Sequence, residues 1–163
     1  AIDPAYLKTD QDPHVRNFRD WGVPLGRRFR ALKLWFVLRS YRAARLREMV
    51  AAHLALAAEF AGWIDAAAGW ERTAPVPLNT VCFRFNGGSG EGQHPAEDEL
   101  ATLNERLMAE VNDGGRIFLT HTKLQGKFCL RLSIGQTQTE RRHVLEAWQT
   151  IRQSQVVSSV AQG

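Results

Sequence analysis

Residues 116–134 read RIFLTHTKLQGKFCLRLSI. Two apolar, β-prone runs, 116–122 and 127–134, flank Leu124-Gln125-Gly126, and this arrangement predicts a β-hairpin. Upstream, 76–86 (VPLNTVCFRFN) has the same strand character and runs into the glycine-rich turn 86–93. Pro95 and the acids Glu97, Asp98 and Glu99 then open a helix to about Val111, since proline and negative charge suit a helix N-terminus. After the hairpin, 137–153 predicts a helix capped by Thr137 or Thr139, with Val144, Leu145, Trp148 and Ile151 as its buried stripe. The polar tail after 153 is expected to fray.

Toward the amino terminus, apolar residues at 25, 29, 32, 35, 36 and 38 recur with helical spacing over 25–41. An alanine-rich helix follows over 43–68, with Gly69 as its stop. Residues 1–24, broken by Pro4, Pro13 and Pro24, read as loop. Loop, long helices, strand, helix, hairpin and helix together predict an α+β fold, an antiparallel sheet covered by helices.

The chain has 163 residues and a net charge of +4, with 44% hydrophobic and 23% charged residues. That suits one domain, or one domain with a flanking piece. No apolar run approaches the roughly 18 residues of a membrane span, and no signal-peptide pattern opens the chain. The expected location is cytoplasmic, without membrane contact. Arginines cluster in 16–47 but are interleaved with Leu25, Phe29, Leu32, Trp35 and Phe36, which fits a partner-facing or cofactor-facing helix better than a phosphate-tracking face. No nucleic-acid partner is expected.

Few residues look chemical. Cys82 and Cys129 lie in strand-like segments with no zinc spacing and read as small hydrophobes. His14, His53, His94, His121 and His143 form no metal-ligand pair, so no metal is expected. His53 reads as structural, and His121 as the one histidine that could face a cleft. The strand–turn–helix at 81–100 lacks the nucleotide-binding fingerprints, and Glu97–Glu99 would repel a phosphate. Arg131 interrupts the apolar strand FCLRLSI, and a buried arginine needs an anionic partner.

Three segments carry a resemblance: NFRDWGVPLGRRFRALKLWF (17–36); Thr120-His121-Thr122 with Gly126-Lys127-Phe128 and Leu130-Arg131-Leu132; and GQTQTE (135–140) with His143-Val144 and Ala147-Trp148. Together they resemble the group II pyridoxal-phosphate decarboxylases, in the aromatic-L-amino-acid branch. The resemblance implies a fold-type I enzyme related in architecture to aspartate aminotransferase. Residues 1–38 would then be the tail of the large cofactor domain and 39–163 the carboxy-terminal small domain. The rest of the large domain would lie upstream, and two subunits would share each active site in a homodimer.

The implied activity is conversion of an aromatic L-amino acid to its amine and carbon dioxide. The cofactor, pyridoxal 5′-phosphate, needs a lysine amine for its aldehyde, and in this family that lysine follows a histidine. Lys8, Lys33, Lys123 and Lys127 follow Leu7, Leu32, Thr122 and Gly126. Cofactor binding is therefore expected upstream of this chain, and the chain alone is expected to be inactive.

By resemblance, Tyr6 in the loop before DWGVPLGRRFR is the proton donor to the carbon that has lost carbon dioxide; relatives with phenylalanine there make aldehydes. Gly26, with Leu25 beside it, lines the aromatic side-chain pocket, and glycine leaves room for an indole. Arg19 supports the catalytic loop near the interface. Arg131 matches a substrate-carboxylate arginine of glutamate-decarboxylating relatives, but a structural ion pair is the expected role here. Ser40–Arg45 lacks the family's usual glycines, so a straighter, more continuous helix is expected. The alternatives are a non-catalytic dimerisation or binding domain, and a decarboxylase for a non-aromatic amino acid.

Overall fold

The computed structural model describes residues 29, 31–87 and 95–160. The elements run α1 (Ala31–Tyr41), α2 (Ala43–Asp65), β1 (Trp70–Arg72), β2 (Thr80–Phe85), α3 (Glu97–Asp113), β3 (Thr120–Leu124), β4 (Lys127–Ser133), α4 (Arg141–Arg152) and α5 (Gln155–Val160). The chain divides into two compact units, Ala1–Ala51 and Ala52–Gly163.

In the second unit the four strands form one antiparallel sheet ordered β1-β2-β4-β3. The expected hairpin is β3–β4. Leu124 lies opposite Lys127, leaving a two-residue turn of Gln125 and Gly126 with φ of 52° and 81°. Two left-handed residues in succession match the right-handed twist of the flanking strands. Because side chains alternate along a strand, register divides the sheet into two faces. Val81, Phe83, Phe85, Phe128 and Leu130 share the core with Phe60 and Ile64 of α2, Leu107 and Val111 of α3, and Val144, Trp148 and Ile151 of α4. The helices therefore cover one face. The other carries Thr80, Cys82, Arg84, Cys129, Arg131 and Ser133.

Aromatic rings dominate this core. Phe60 meets Phe83, Trp148 and Trp63 edge-on at 5.4, 5.7 and 6.3 Å, and Trp70 lies 5.0 Å from Trp148 and 5.1 Å from Phe85. Edge-to-face pairs add about 1 kcal/mol each beyond the area they bury. Fully buried Asn104 splices α3 onto β2: its amide donates to the Phe85 carbonyl and its Oδ1 accepts the Phe85 N–H.

Several expectations need correction. Strand β1 was not foreseen: Trp70, just past Gly69, pairs with Phe85 and completes the edge of the sheet. The strand expected over 76–86 is shorter, as is that over 116–122, which begins only at Thr120. Helix α4 begins at Arg141, with the Glu140 N–H donating to His143 Nδ1, so neither Thr137 nor Thr139 caps it. Over 154–160 the tail is ordered into α5: Val156 is buried, Ser154 Oγ accepts the Val157 N–H, and the Glu110 carboxylate accepts the N–H groups of Gln155 and Val156.

The first unit holds the clearest departure. The expected continuous helix is broken at Arg42, whose φ of +63° ends α1 before α2 begins. The Arg42 N–H still donates to the Leu38 carbonyl at 3.0 Å, and the Arg42 carbonyl accepts from Leu46 at 3.1 Å. The break thus keeps its hydrogen bonds and places the cost on one left-handed, non-glycine residue. Helix α1 buries no residue and exposes Leu34, Trp35 and Phe36, and Phe29 just before it is exposed too. No helix among the described residues is long and apolar enough to cross a membrane.

In a helix interior glycine is less stable than alanine by about 1 kcal/mol. At a left-handed position the order inverts, because only a Cβ is penalised. Arg42→Gly is therefore expected to be about 1 kcal/mol more stable than Arg42→Ala, measured by denaturant titration with helix circular dichroism and by amide exchange across 38–46. Equal stability, or a more stable alanine variant, would refute the left-handed break.

Candidate functional site

Tyr6, Arg19, Leu25 and Gly26 lie outside the described residues, as do Lys8, His14 and His94. Arg131 is described. It sits on β4 opposite Cys82 of β2 and Thr120 of β3, on the face turned from the core, and it is half-buried. The premise that Arg131 is a buried arginine is corrected: the buried one is Arg84, two rungs away on the same face, with 5% of its surface exposed.

Arg84 is clamped by two carboxylates. Its Nε donates to Glu71 Oε2 at 2.9 Å, and its Nη1 to both oxygens of Glu97 at 2.7 and 2.9 Å. Lys127 Nζ approaches the other Glu71 oxygen at 3.5 Å. One guanidinium thus fastens β1, β2 and the start of α3, and Lys127 adds the start of β4 through Glu71. A forked, permanently charged group suits this task better than an ammonium. Burial alone would raise the Glu71 carboxyl pKa, but the hydrogen bond and charge of Arg84, with Lys127, more than offset it and hold the group below its ordinary 4.5. Burial alone would lower the Arg84 pKa; hydrogen bonds and charge from Glu97 and Glu71 raise it instead. The sequence did carry a signal: TVCFRF holds an apolar-strand arginine in the manner of FCLRLSI, and acids lie 13 residues to either side of it.

The other chemical candidates fall quiet. Burial pushes the Cys82 thiol up, partly countered by nearby Arg131, so it is a poor nucleophile. Cys82 and Cys129 are both free thiols, half-buried and buried respectively. His53 is buried on α2. His121 does not face a cleft as an open ring: it stacks on Phe128, with centroids 5.0 Å apart and planes 9° apart. Among the described residues no three metal-binding side chains come together.

These residues do not fit a pyridoxal cofactor. Lys33 and Lys123 are exposed, and Lys127 is engaged with Glu71. No described lysine lies in a closed pocket where an aldehyde could be held. Among the described histidines, the one stacked on a ring, His121, is stacked on the protein's own Phe128. Arg84, the best anion-binding group, is already saturated by carboxylates.

A one-sided sheet with a salt-bridged polar face, and no complete catalytic set among the described residues, defines a small α+β domain. Residues 1–86 match the pyridoxal-dependent decarboxylase conserved domain, and the chain belongs to that family. It is 40% identical to tyrosine decarboxylase 4 of Petroselinum crispum over 91% of its length, and 40% identical to tryptophan decarboxylase TDC1 of Camptotheca acuminata over 94%. It spans about 30% of the length of each of these relatives. The structure of the Oryza sativa tryptophan decarboxylase with PLP and tryptamine aligns over 88% of the chain and 29% of that chain, at 33% identity and a TM-score of 0.73. The Rhodiola rosea 4-hydroxyphenylacetaldehyde synthase aligns over 93% of the chain and 30% of that chain, at 29% identity and a TM-score of 0.68.

The Arg84 clamp has a pH signature. The Glu71 pKa is lower folded than unfolded, so its contribution to stability is full above the unfolded carboxylate value and is lost as pH falls through the folded value. Arg84→Met is expected to cost about 2 kcal/mol at pH 7, since it removes a buried charge but leaves two carboxylates that can rehydrate. The deficit relative to the parent should shrink as pH falls below about 4. Urea titrations at pH 7 and pH 3 test this, and a deficit that does not change with pH would contradict the assignment.

Proposed function

We propose that this chain is the carboxy-terminal part of a pyridoxal-phosphate-dependent decarboxylase that converts an aromatic L-amino acid to its amine and carbon dioxide. The observation that carries this reading is near-equal similarity, 40% over almost the whole chain, to both a tyrosine and a tryptophan decarboxylase. Residues 1–38 belong to the tail of the large domain and 39–163 to the small domain. The remaining large domain lies upstream and holds the cofactor, which supplies the electron sink. The enzyme is a cytoplasmic homodimer.

Within this division Tyr6 is the proton donor at the substrate carbon that loses carbon dioxide. A phenol suits the step because it is neutral at pH 7 and donates well in a closed, dry site. Leu25 and Gly26 line the pocket for the aromatic side chain. Arg19 steadies the loop that carries Tyr6. Arg131 supports the polar face of the sheet as an ion-pairing group; its position between Cys82 and Thr120, half-buried on that face, is compatible with this role.

The test is to express the gene with its upstream region and assay amine and carbon dioxide release from L-tryptophan, L-tyrosine, L-dopa, L-phenylalanine and L-glutamate. One of the aromatic substrates should be turned over. Tyr6→Phe should lower amine formation by about 10²–10⁴-fold and divert product toward the aldehyde, with cofactor binding retained. The 163-residue chain alone should release no carbon dioxide. Preferential turnover of glutamate would transfer the protein to the non-aromatic reading, and full amine formation by the phenylalanine variant would remove Tyr6 from the chemistry.

A further inference from the structure

Helices α2 and α4 enclose a groove that the proposed function does not use. Its volume is about 430 Å³, and it is lined by Trp63, Ala66, Ala67, Ala68, Arg141, Leu145, Trp148 and Arg152. The α4 contribution is a single stripe, Arg141, Leu145, Trp148 and Arg152, at helical spacing of four, three and four residues. At 1.5 Å per residue the stripe is about 16 Å long. Three alanines in the turn after α2, Ala66–Ala68, leave the space open, and an indole stands on each side.

The charges of the groove do not cancel. Arg141 lies over the Trp63 ring at 5.5 Å and is neutralised by Glu59, which accepts from its Nε at 2.8 Å and its Nη2 at 2.7 Å. Arg152 lies over the Trp148 ring at 5.7 Å. Among the described residues no carboxylate pairs with it. The nearest acid by sequence at the end of α2, Asp65, is taken by Arg72 at 3.0 Å. Among the described residues, two guanidiniums and one carboxylate leave a surplus of one positive charge at the Arg152 end of the groove. Stacking on an indole holds a guanidinium while leaving its in-plane N–H donors directed outward.

We propose that this groove binds an apolar monocarboxylate. The carboxylate takes the fork of Arg152, and the apolar body lies along Leu145 and the Ala66–Ala68 floor beside Trp63. One anionic group matches the single uncompensated cation. Away from the two arginines, the alanine floor, Leu145 and the two indoles match a body without further charge. An amino acid fits poorly, because its ammonium would face two guanidiniums. The site shares no residue with Tyr6, Leu25, Gly26, Arg19 or Arg131, so it stands or falls independently of the proposed decarboxylation.

The experiment is a titration of the full 163-residue chain followed by the indole N–H signals of its tryptophans, with indole-3-acetate and octanoate as the two acids. Tryptamine and L-tryptophan serve as charge controls. The Trp63 and Trp148 signals should move saturably with an acid while Trp35, on α1, stays fixed. A preference for indole-3-acetate assigns the site to aryl acids, and one for octanoate to aliphatic acids. Arg152→Gln should weaken binding about tenfold. Glu59→Gln frees the Arg141 charge and should strengthen it several-fold. Both substitutions are of surface charges outside the core, so the fold is expected to persist, and far-ultraviolet circular dichroism reports on it. Lack of saturable shifts with either acid, equal binding of tryptamine, or affinity unchanged in both variants would overturn the proposal. Loss of decarboxylation by the longer enzyme with this binding intact would overturn only the proposed function.

Discussion

The arrangement depends on a sheet that is apolar on one side only. Strand β2 alternates Val81, Phe83 and Phe85 toward the helices with Thr80, Cys82 and Arg84 away from them, and β4 does the same with Phe128 and Leu130 against Cys129 and Arg131. Register fixes this alternation, since a slip of one residue would drive Arg84 and Arg131 into the aromatic core and expose Phe83 and Leu130. The edge-to-face contacts of Phe60, Trp70, Phe83 and Trp148 then lock α2 and α4 onto the chosen face. Each later feature, whether the Arg84 clamp, the polar rungs or the α2–α4 groove, is a by-product of that division.

The parts of this plan that rest on periodicity were legible. The 127–134 strand, the acid-led helix after Pro95, the Leu124–Lys127 hairpin and three of the four stripe residues of α4, Val144, Trp148 and Ile151, announce themselves by spacing, whereas Leu145 is only half-buried and lines the groove. What periodicity does not encode was missed. A three-residue strand such as Trp70–Arg72 is too short to show alternation, and it exists because β2 offers it an edge. Helix α5 forms because Glu110, 45 residues away, accepts its first N–H groups. The break at Arg42 runs against local propensity altogether: Tyr41-Arg42-Ala43-Ala44 contains neither proline nor glycine, yet a left-handed residue ends α1. Local sequence argues for continuity there and the backbone departs from it, the kind of conflict that tertiary demands impose.

The candidate site was less legible than the fold. Family resemblance rather than geometry singled out Tyr6, Arg19, Leu25 and Gly26. Arg131 and Arg84 show why strand arginines are ambiguous in a sequence. Both interrupt apolar runs and both fall on the polar face, but only Arg84 lies between acids contributed by a neighbouring strand and a helix start. That difference is long-range and cannot be read from either strand.

The basic composition also finds a structural use. Of the cationic side chains the chain prefers arginine, and the described arginines take up work that a lysine would do poorly. Arg84 bridges two carboxylates, Arg72 binds both oxygens of Asp65, and Arg39, Arg141 and Arg152 lie over Trp35, Trp63 and Trp148. A planar guanidinium can cover an indole and still present its edge to an anion, whereas an ammonium is a hydrated point charge. Arginine and tryptophan therefore form a recurring unit in this chain, and where its edge meets a carboxylate, as at Arg141, the charge is spent on the fold. Among the described residues, Arg152 repeats the unit without that last step, which leaves a positively charged edge beside the alanine-lined groove.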